Sequence, residues 1–392
     1  MHWRKCMTSE QKILTTHAGS LPRPKRLTKL YADRVAGQQI DEEFLSQEAH
    51  EATKWVISQQ KNAGIDIPNN GEQGREAFFL YIQRRIKGFG GKGKRKPWGD
   101  LLDFPDFAHF SQTNFAAKTM VSNREPPVAQ EKITYVAPEE NIAEINTFKK
   151  ILKGTWPECN HAFMTAPSPG MLAAAMHNRA YPTHGEYLDA LGEAVAVEYE
   201  AAVNNGLILQ IDAPDLAMER HLTFADRPLS DFLEFAEGVI SRINIAIRNL
   251  PRDRIRLHVC WGNYEGPHHL DVPLKEVLPI ITEANVGGFM FPFANPRHQH
   301  EIEVLKKIPL KPEQYLITGV IDTLTNFIEH PEVIAQRLER AAEAVGDPKK
   351  IQAGTDCGFD TAAGMGRVTQ DIVWAKLKAM RDGADLASRR LF

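Results

Sequence analysis

Eight short apolar runs recur along the chain, each followed by a stretch of helical spacing, and few folds accommodate that rhythm. The runs are ILTTHAGS (residues 13–20), IDIPNNGE (65–72), HAFMTAPS (161–168), LILQIDAP (207–214), RIRLHVC (254–260), VGGFMFPF (286–293), YLITGVID (315–322) and KIQAGTDC (350–357). Most are continuous rather than alternating, as strands of a parallel sheet buried on both faces must be. Between them apolar residues fall three and four apart, as in residues 186–206, EYLDALGEAVAVEYEAAVNNG, which ends on an Asn-Gly stop. Eight strand-and-helix units predict an α/β fold, a (β/α)8 TIM barrel, with a doubly wound open sheet as the alternative. The length of 392 residues suits one barrel with insertions or two ordinary domains.

One interval is too long for a plain crossover. From about residue 88 to residue 137 the chain is rich in Gly, Pro, Lys and aromatics, and KITYV (132–136) looks like a stray strand. The expected layout is an N-terminal tail, residues 1–12, and one barrel, residues 13–392, with an excursion between strands 2 and 3. Loops of that length are functional or disordered, so the excursion is either an exposed flap or a lid.

A net charge of −3 argues against a generic nucleic-acid binder, which needs a surplus of Lys and Arg on one face. The one concentrated basic run, KGFGGKGKRKPWG (87–99), reads as a solvated loop. The N-terminus, MHWRKCMTSEQK, has no apolar core of a signal sequence, and no stretch approaches the roughly 18 apolar residues of a membrane span. The expectation is a cytoplasmic protein whose partners are small molecules, not nucleic acid or membrane, with a homo-oligomer left open. The four cysteines, Cys6, Cys159, Cys260 and Cys357, are too few and scattered for a disulfide framework.

In a barrel, catalytic groups gather at the C-terminal ends of the strands. Ser20 closes the first run, Glu72 the second, Asp212 lies near the end of the fourth, His258 and Cys260 close the fifth, and Cys357 the eighth. His258 and Cys260, two apart in a strand, face one side and form half of a zinc site. Cys357 would make a third N/S ligand, and three such ligands with a vacant fourth position are the pattern of catalytic zinc. Each alone has a plainer use, a satisfied polar residue or a small hydrophobe; three together at strand ends point to Zn2+ and an activated thiol.

The ordered motifs TTHAGSLPRP, NNGEQGREAF, LQIDAPDLAM, HVCWGNYEGPH, GVID and GTDCGF resemble the catalytic barrel of cobalamin-independent methionine synthase and its short single-barrel relatives, among them the epoxyalkane:coenzyme M transferases. The resemblance covers nearly the whole chain from residue 13. It implies zinc on His258, Cys260 and Cys357, an amino-acid carboxylate on Ser20, and an ammonium on Glu72 and Asp212. It implies a zinc-dependent transfer of an alkyl group, foremost a methyl group, to a thiol, foremost homocysteine, hence methionine biosynthesis. Opening of an epoxide by coenzyme M, and a non-catalytic zinc-binding barrel, are the alternatives. Two positions depart from the family pattern. A zinc-binding glutamate is absent from residues 290–292, which leaves His298, His300 or Glu301 as candidate fourth ligands. The family's proton-donating histidine is replaced near Leu324, so Glu329 or His330 is expected to act as the acid, the alternative being that His330, just before Pro331, caps the start of a helix on the barrel rim.

Overall fold

The computed structural model describes residues 11–116 and 118–392. The tail expected at residues 1–12, with Cys6, falls almost wholly outside the described residues. Seven parallel strands form the main sheet: β1 (Leu14–Thr15), β4 (Phe163–Pro167), β5 (Ile208–Asp212), β6 (Ile255–His258), β7 (Gly288–Phe291), β8 (Tyr315–Ile321) and β9 (Ile351–Thr355). Their order is β1-β9-β8-β7-β6-β5-β4, so the first and last strands in sequence are neighbours. The two remaining strands, β2 (Ile86–Gly90) and β3 (Val128–Tyr135), pair with each other, antiparallel, outside this sheet.

The run at residues 65–72 is not a regular strand, yet it fills the gap between β1 and β4. Asp66 N and Ile67 N both donate to Thr15 O at 3.1 Å, and Phe163 N donates to Pro68 O at 3.0 Å. Thr16 Oγ1 adds a bond to Ile67 O at 3.0 Å. Pro68 has no N–H to give, and the next residues, Asn69 to Gly71, turn away, so the ladder cannot continue. The sheet is therefore an α/β barrel closed by an irregular eighth segment.

Every residue of β4 through β9 in the main sheet is buried, as the continuous apolar runs require. Inside the barrel Ile67, Phe163, Ile208, Met290 and Ile317 form one small layer. Arg256 joins them: its guanidinium lies 3.9 Å from the Phe163 ring and donates to Gln210 Oε1, Thr16 Oγ1 and His17 O. A larger apolar cluster fills the space between the strands and the surrounding helices.

The excursion begins at β2 and returns at β3. Between them lie the short helix Gly99–Leu102 and the helix Pro105–Ala116, which the sequence did not announce. It is pinned over the C-terminal mouth of the barrel: Trp98 stacks on Tyr264 at 3.8 Å, and buried Asp100 accepts from the Tyr264 hydroxyl and from His268 N.

Candidate functional site

Three side chains from two non-adjacent strands meet above the barrel. His258 ends β6, Cys260 follows two residues later, and Cys357 stands two residues beyond β9. All three are buried, and their candidate ligand atoms lie within 4.8 Å of one another. The Cys260 and Cys357 sulfurs are 3.8 Å apart. A tetrahedral zinc with bonds of about 2.3 Å to sulfur has an S···S edge of about 3.8 Å. His258 Nδ1 is 2.9 Å from Asp212 Oδ1, which leaves its Nε2 buried without a hydrogen-bond partner. A ring fixed by a carboxylate on one nitrogen and open on the other is how a ligating histidine is held. The residues present fit zinc.

The electrostatics agree with that fit. The Cys357 thiol hydrogen-bonds to Cys260 and, with His258 beside it, holds Cys260 well below the usual thiol range. The same contact drives Cys357 well above it. Burial alone would depress His258, but the Cys260 sulfur and the Asp212 carboxylate carry it up to about 10. Without a dication only one of the two sulfurs can ionise; a dication favours both thiolates.

Glu72, Asp212 and Ser20 border the same space. Asn69 Oδ1 accepts from Gly71 N at 2.7 Å and Asn70 Oδ1 from Glu72 N at 2.9 Å, two tight turns that leave Glu72 in the left-handed region at φ 56°. Such strain in a non-glycine residue persists only where its surroundings over-determine it. Glu72 Oε1 accepts from Thr165 Oγ1 at 2.8 Å, while Oε2 is buried and unpartnered. Burial, then the charge of Asp212, push its carboxyl up to about 7. Gly19 allows this closeness, because a Cβ there would stand 2.8 Å from Glu72 Oε1 and 2.6 Å from Thr165 Cγ2. Ser20 Oγ accepts from Asp360 N at 3.3 Å and lies where a Cβ on Gly358 would come within 2.1 Å of it.

These groups open into a cavity of about 610 Å³. Ser20, Glu72, Asp212, His258, Cys260 and Cys357 line its floor, and the excursion, through Lys94 to Trp98 and Ser122 to Glu125, supplies a wall.

The expected acids do not join the site. His330 is exposed and caps the helix Pro331–Val345, its Nδ1 accepting from Glu332 N at 3.1 Å. Glu329 is buried in an ion pair with Lys376 at 2.9 Å and accepts from Asp322 N at 2.8 Å. Both side chains are occupied in holding a helix and a loop, and neither borders the cavity, so the structure does not bring the expected acids to the site. Of the candidate fourth ligands, His300 is exposed, while His298 and Glu301 are bonded to each other at 2.8 Å. Met290 packs inside the barrel. Sequence reasoning missed Thr165, which fixes Glu72, and Asn263, which ties the Cys260 loop to Gly358 O at 2.7 Å. The one available signal for Asn263 was its nearness to the His-x-Cys motif.

No family model matches the chain. It is 26% identical over 378 residues to the methionine synthase of Thermococcus kodakarensis, covering 96% of this chain and 94% of that one. It is 27% identical over 352 residues to the methionine synthase of Pyrococcus furiosus, covering 89% and 87%. The fold superposes with a TM-score of 0.70 on a B12-independent methionine synthase from Shewanella sp. W3-18-1 in complex with selenomethionine, at 19% identity, covering 97% of this chain and 99% of that one. Over nearly its whole length the chain is thus similar in sequence to proteins named methionine synthase, and it has the fold of a B12-independent one.

Proposed function

We propose that this chain is a cytoplasmic, zinc-dependent enzyme that transfers a methyl group to the sulfur of homocysteine. The observation that supports this most is the open, buried Nε2 of His258 beside the Cys260 and Cys357 sulfurs, on the floor of a cavity that also holds two carboxylates and a serine. Zinc held by these three side chains supplies a Lewis acid that favours the thiolate of a neighbouring substrate thiol at neutral pH. Asp212 fixes the His258 ring through Nδ1 and keeps its lone pair on Nε2. The unpartnered Oε2 of Glu72, with the charge of Asp212 nearby, suits the substrate ammonium, and the Ser20 hydroxyl suits its carboxylate. Sulfur then attacks the methyl carbon in line: the S–C bond forms as the bond from carbon to the donor breaks, its electron pair stays on the donor, and the donor takes up the equivalent of the proton that the substrate thiol gave up. The cavity exceeds the size of homocysteine, and Lys94 and Arg124 on the excursion wall suit a donor carrying negative charge, while Arg95 beside them is paired with Glu219 at 2.6 Å.

Opening of an epoxide by coenzyme M would place a sulfonate where Glu72 and Asp212 stand, and like charge opposes it. The experiment is zinc analysis and product mass for the wild type, Cys260→Ala and Cys357→Ala, given homocysteine with methyl-folates, and coenzyme M with small epoxides. Each variant is expected to lose the cysteine-bound zinc and methionine formation while keeping its far-ultraviolet circular dichroism. Zinc still bound beside the remaining cysteine at wild-type affinity in either variant refutes the ligand set. Product only from coenzyme M refutes the substrate.

A further inference from the structure

A second group of buried imidazoles lies beyond the cysteine pair, and the reaction above uses none of it. His221 follows β5 in the chain, His268 and Asp271 follow β6, and His298 follows β7. All four side chains are buried. Asp271 Oδ2 is 2.9 Å from His268 Nδ1 and 2.7 Å from His298 Nε2. Its other oxygen, Oδ1, is 3.3 Å from His221 Nδ1.

The far nitrogen of each ring decides what the near one can be. His268 Nε2 is 3.1 Å from the carbonyl oxygen of Tyr264. His298 Nδ1 is 2.8 Å from Glu301 Oε2. His221 Nε2 is 3.3 Å from the Tyr264 hydroxyl, whose own proton goes to Asp100. All three far partners are acceptors, as Asp271 is on the near side, so a neutral ring, with one N–H for two acceptors, turns a lone pair toward one of them. Where the proton stays on the far nitrogen, the near lone pair faces the Asp271 carboxylate. His221 Nδ1 and Asp271 Oδ1 accordingly face each other, deeply buried, with no hydrogen bond.

Only positive charge among these atoms relieves that arrangement. Protonating all three rings would set three imidazolium ions against the Asp271 and Glu301 carboxylates, with the His268 and His298 centroids 6.3 Å apart, and dry like charges repel strongly. A metal ion held among Asp271, His268 and His298 meets these three groups together. Each ring stays neutral, keeps its far N–H on an acceptor, and turns its near lone pair to the ion, as metal-bound histidines do. Glu301 completes the carboxylate–histidine half of that pattern and is itself fixed by Leu274 N at 2.7 Å.

We propose that His268, Asp271 and His298, with His221 at the other carboxylate oxygen, form a second metal site for a divalent transition ion. The candidate ligand atoms of the first three lie within 4.8 Å of one another. Imidazole nitrogen and carboxylate oxygen without sulfur suit zinc or ferrous iron. The site is separate from the cysteine centre but close to it: Cys260, Cys357, His268 and His298 all border one cavity of about 30 Å³. Trp261, next in sequence to Cys260, stacks on His298 at 4.0 Å.

The test is metal stoichiometry of the full chain, stripped by chelator and reloaded with zinc alone or, without oxygen, with ferrous iron alone. Two equivalents are expected in the wild type with at least one of these ions, and one in Asp271→Asn and in His298→Gln. Should those substitutions unfold the chain, the double variant Cys260→Ala/Cys357→Ala decides the matter, because it leaves the imidazole cluster intact. It is expected to bind one equivalent through nitrogen and oxygen only, read by X-ray absorption. If that double variant binds none of either ion, the second site does not exist and the cluster is a protonated network. That result leaves the zinc–thiol reading untouched, since its failure shows instead as a wild type without sulfur-bound metal.

Discussion

Replacing Asp212 by Asn keeps the shape of the site and removes one charge, and the structure puts the consequence on the metal before the substrate. Asp212 Oδ1 already receives His258 Nδ1 at 2.9 Å and Gln210 Nε2 at 2.8 Å. An amide oxygen can still accept both bonds, so the ring is not set free; what is lost is the charge that raises the basicity of Nε2. Outer partners of ligating histidines contribute roughly 10- to 100-fold in metal affinity, which is about 1.4–2.7 kcal/mol. The same range follows from a charge-assisted hydrogen bond, at about 1.5–3 kcal/mol, exchanged for a weaker neutral one. Competition for zinc against a chromophoric chelator reads this directly, and the KM for homocysteine at saturating zinc reads the other role. Zinc affinity should fall by at least about tenfold while KM moves less. Unchanged zinc affinity with a raised KM would refute the reasoning and make Asp212 an ammonium ligand only.

Three further outcomes follow from other side chains. Glu72→Gln should raise the KM for homocysteine about tenfold while barely altering that for 4-mercaptobutyrate, which lacks the amine; equal losses would mean that the carboxylate only braces Thr165. Asp215, fully buried with Oδ1 on Ser168 Oγ, is pushed by that burial from an ordinary 3.8 up to about 7. Between about pH 4 and 7 the unfolded chain gives up this proton and the folded chain keeps it, so this one group takes away stability as pH rises, on the order of 4 kcal/mol. Asp215→Asn should therefore match the wild type near pH 4 and exceed it at pH 8; thermal midpoints that run parallel across this range refute the shift. His330→Ala should cost about 0.5–2 kcal/mol through loss of the helix cap with turnover unchanged from pH 6 to 9, and a loss of turnover would return His330 to the chemistry.

The barrel was legible because burial on both faces leaves continuous apolar runs, and six of the eight became regular strands of about the expected extent. The run at 13–20 shrank to Leu14–Thr15, and the run at 65–72 became irregular, since Pro68 and the Asn69–Gly71 turn break a ladder that apolarity alone suggested. The meeting of His258, Cys260 and Cys357 was legible because position at strand ends outweighs separation in sequence. Of the two uses the sequence allowed His330, acid or helix cap, the cap is the one its bond to Glu332 N displays, and a polar residue followed by Pro at the start of an amphipathic stretch is its signal. The imidazole cluster was illegible, because its members stand in loops and one short 3-10 turn, Glu219–His221, whose approach no periodicity encodes.

The pairing of β1 with β9 sets Leu14 beside Gln352, and this governs how the centre can be born. At about 5–20 residues per second, the roughly 340 residues between them take some 20–70 s to emerge from a ribosome. Through that interval β1 and β4 onward can assemble only as an open arc with two unpaired margins, the state most exposed to mispairing with other chains. Ser20 waits for Gly358, and His258 and Cys260 wait for Cys357. On the proposed zinc reading, metal capture by the full ligand set can only be a late event in biogenesis, and a nascent chain halted before β9 carries a half-built ligand set beside an aggregation-prone edge.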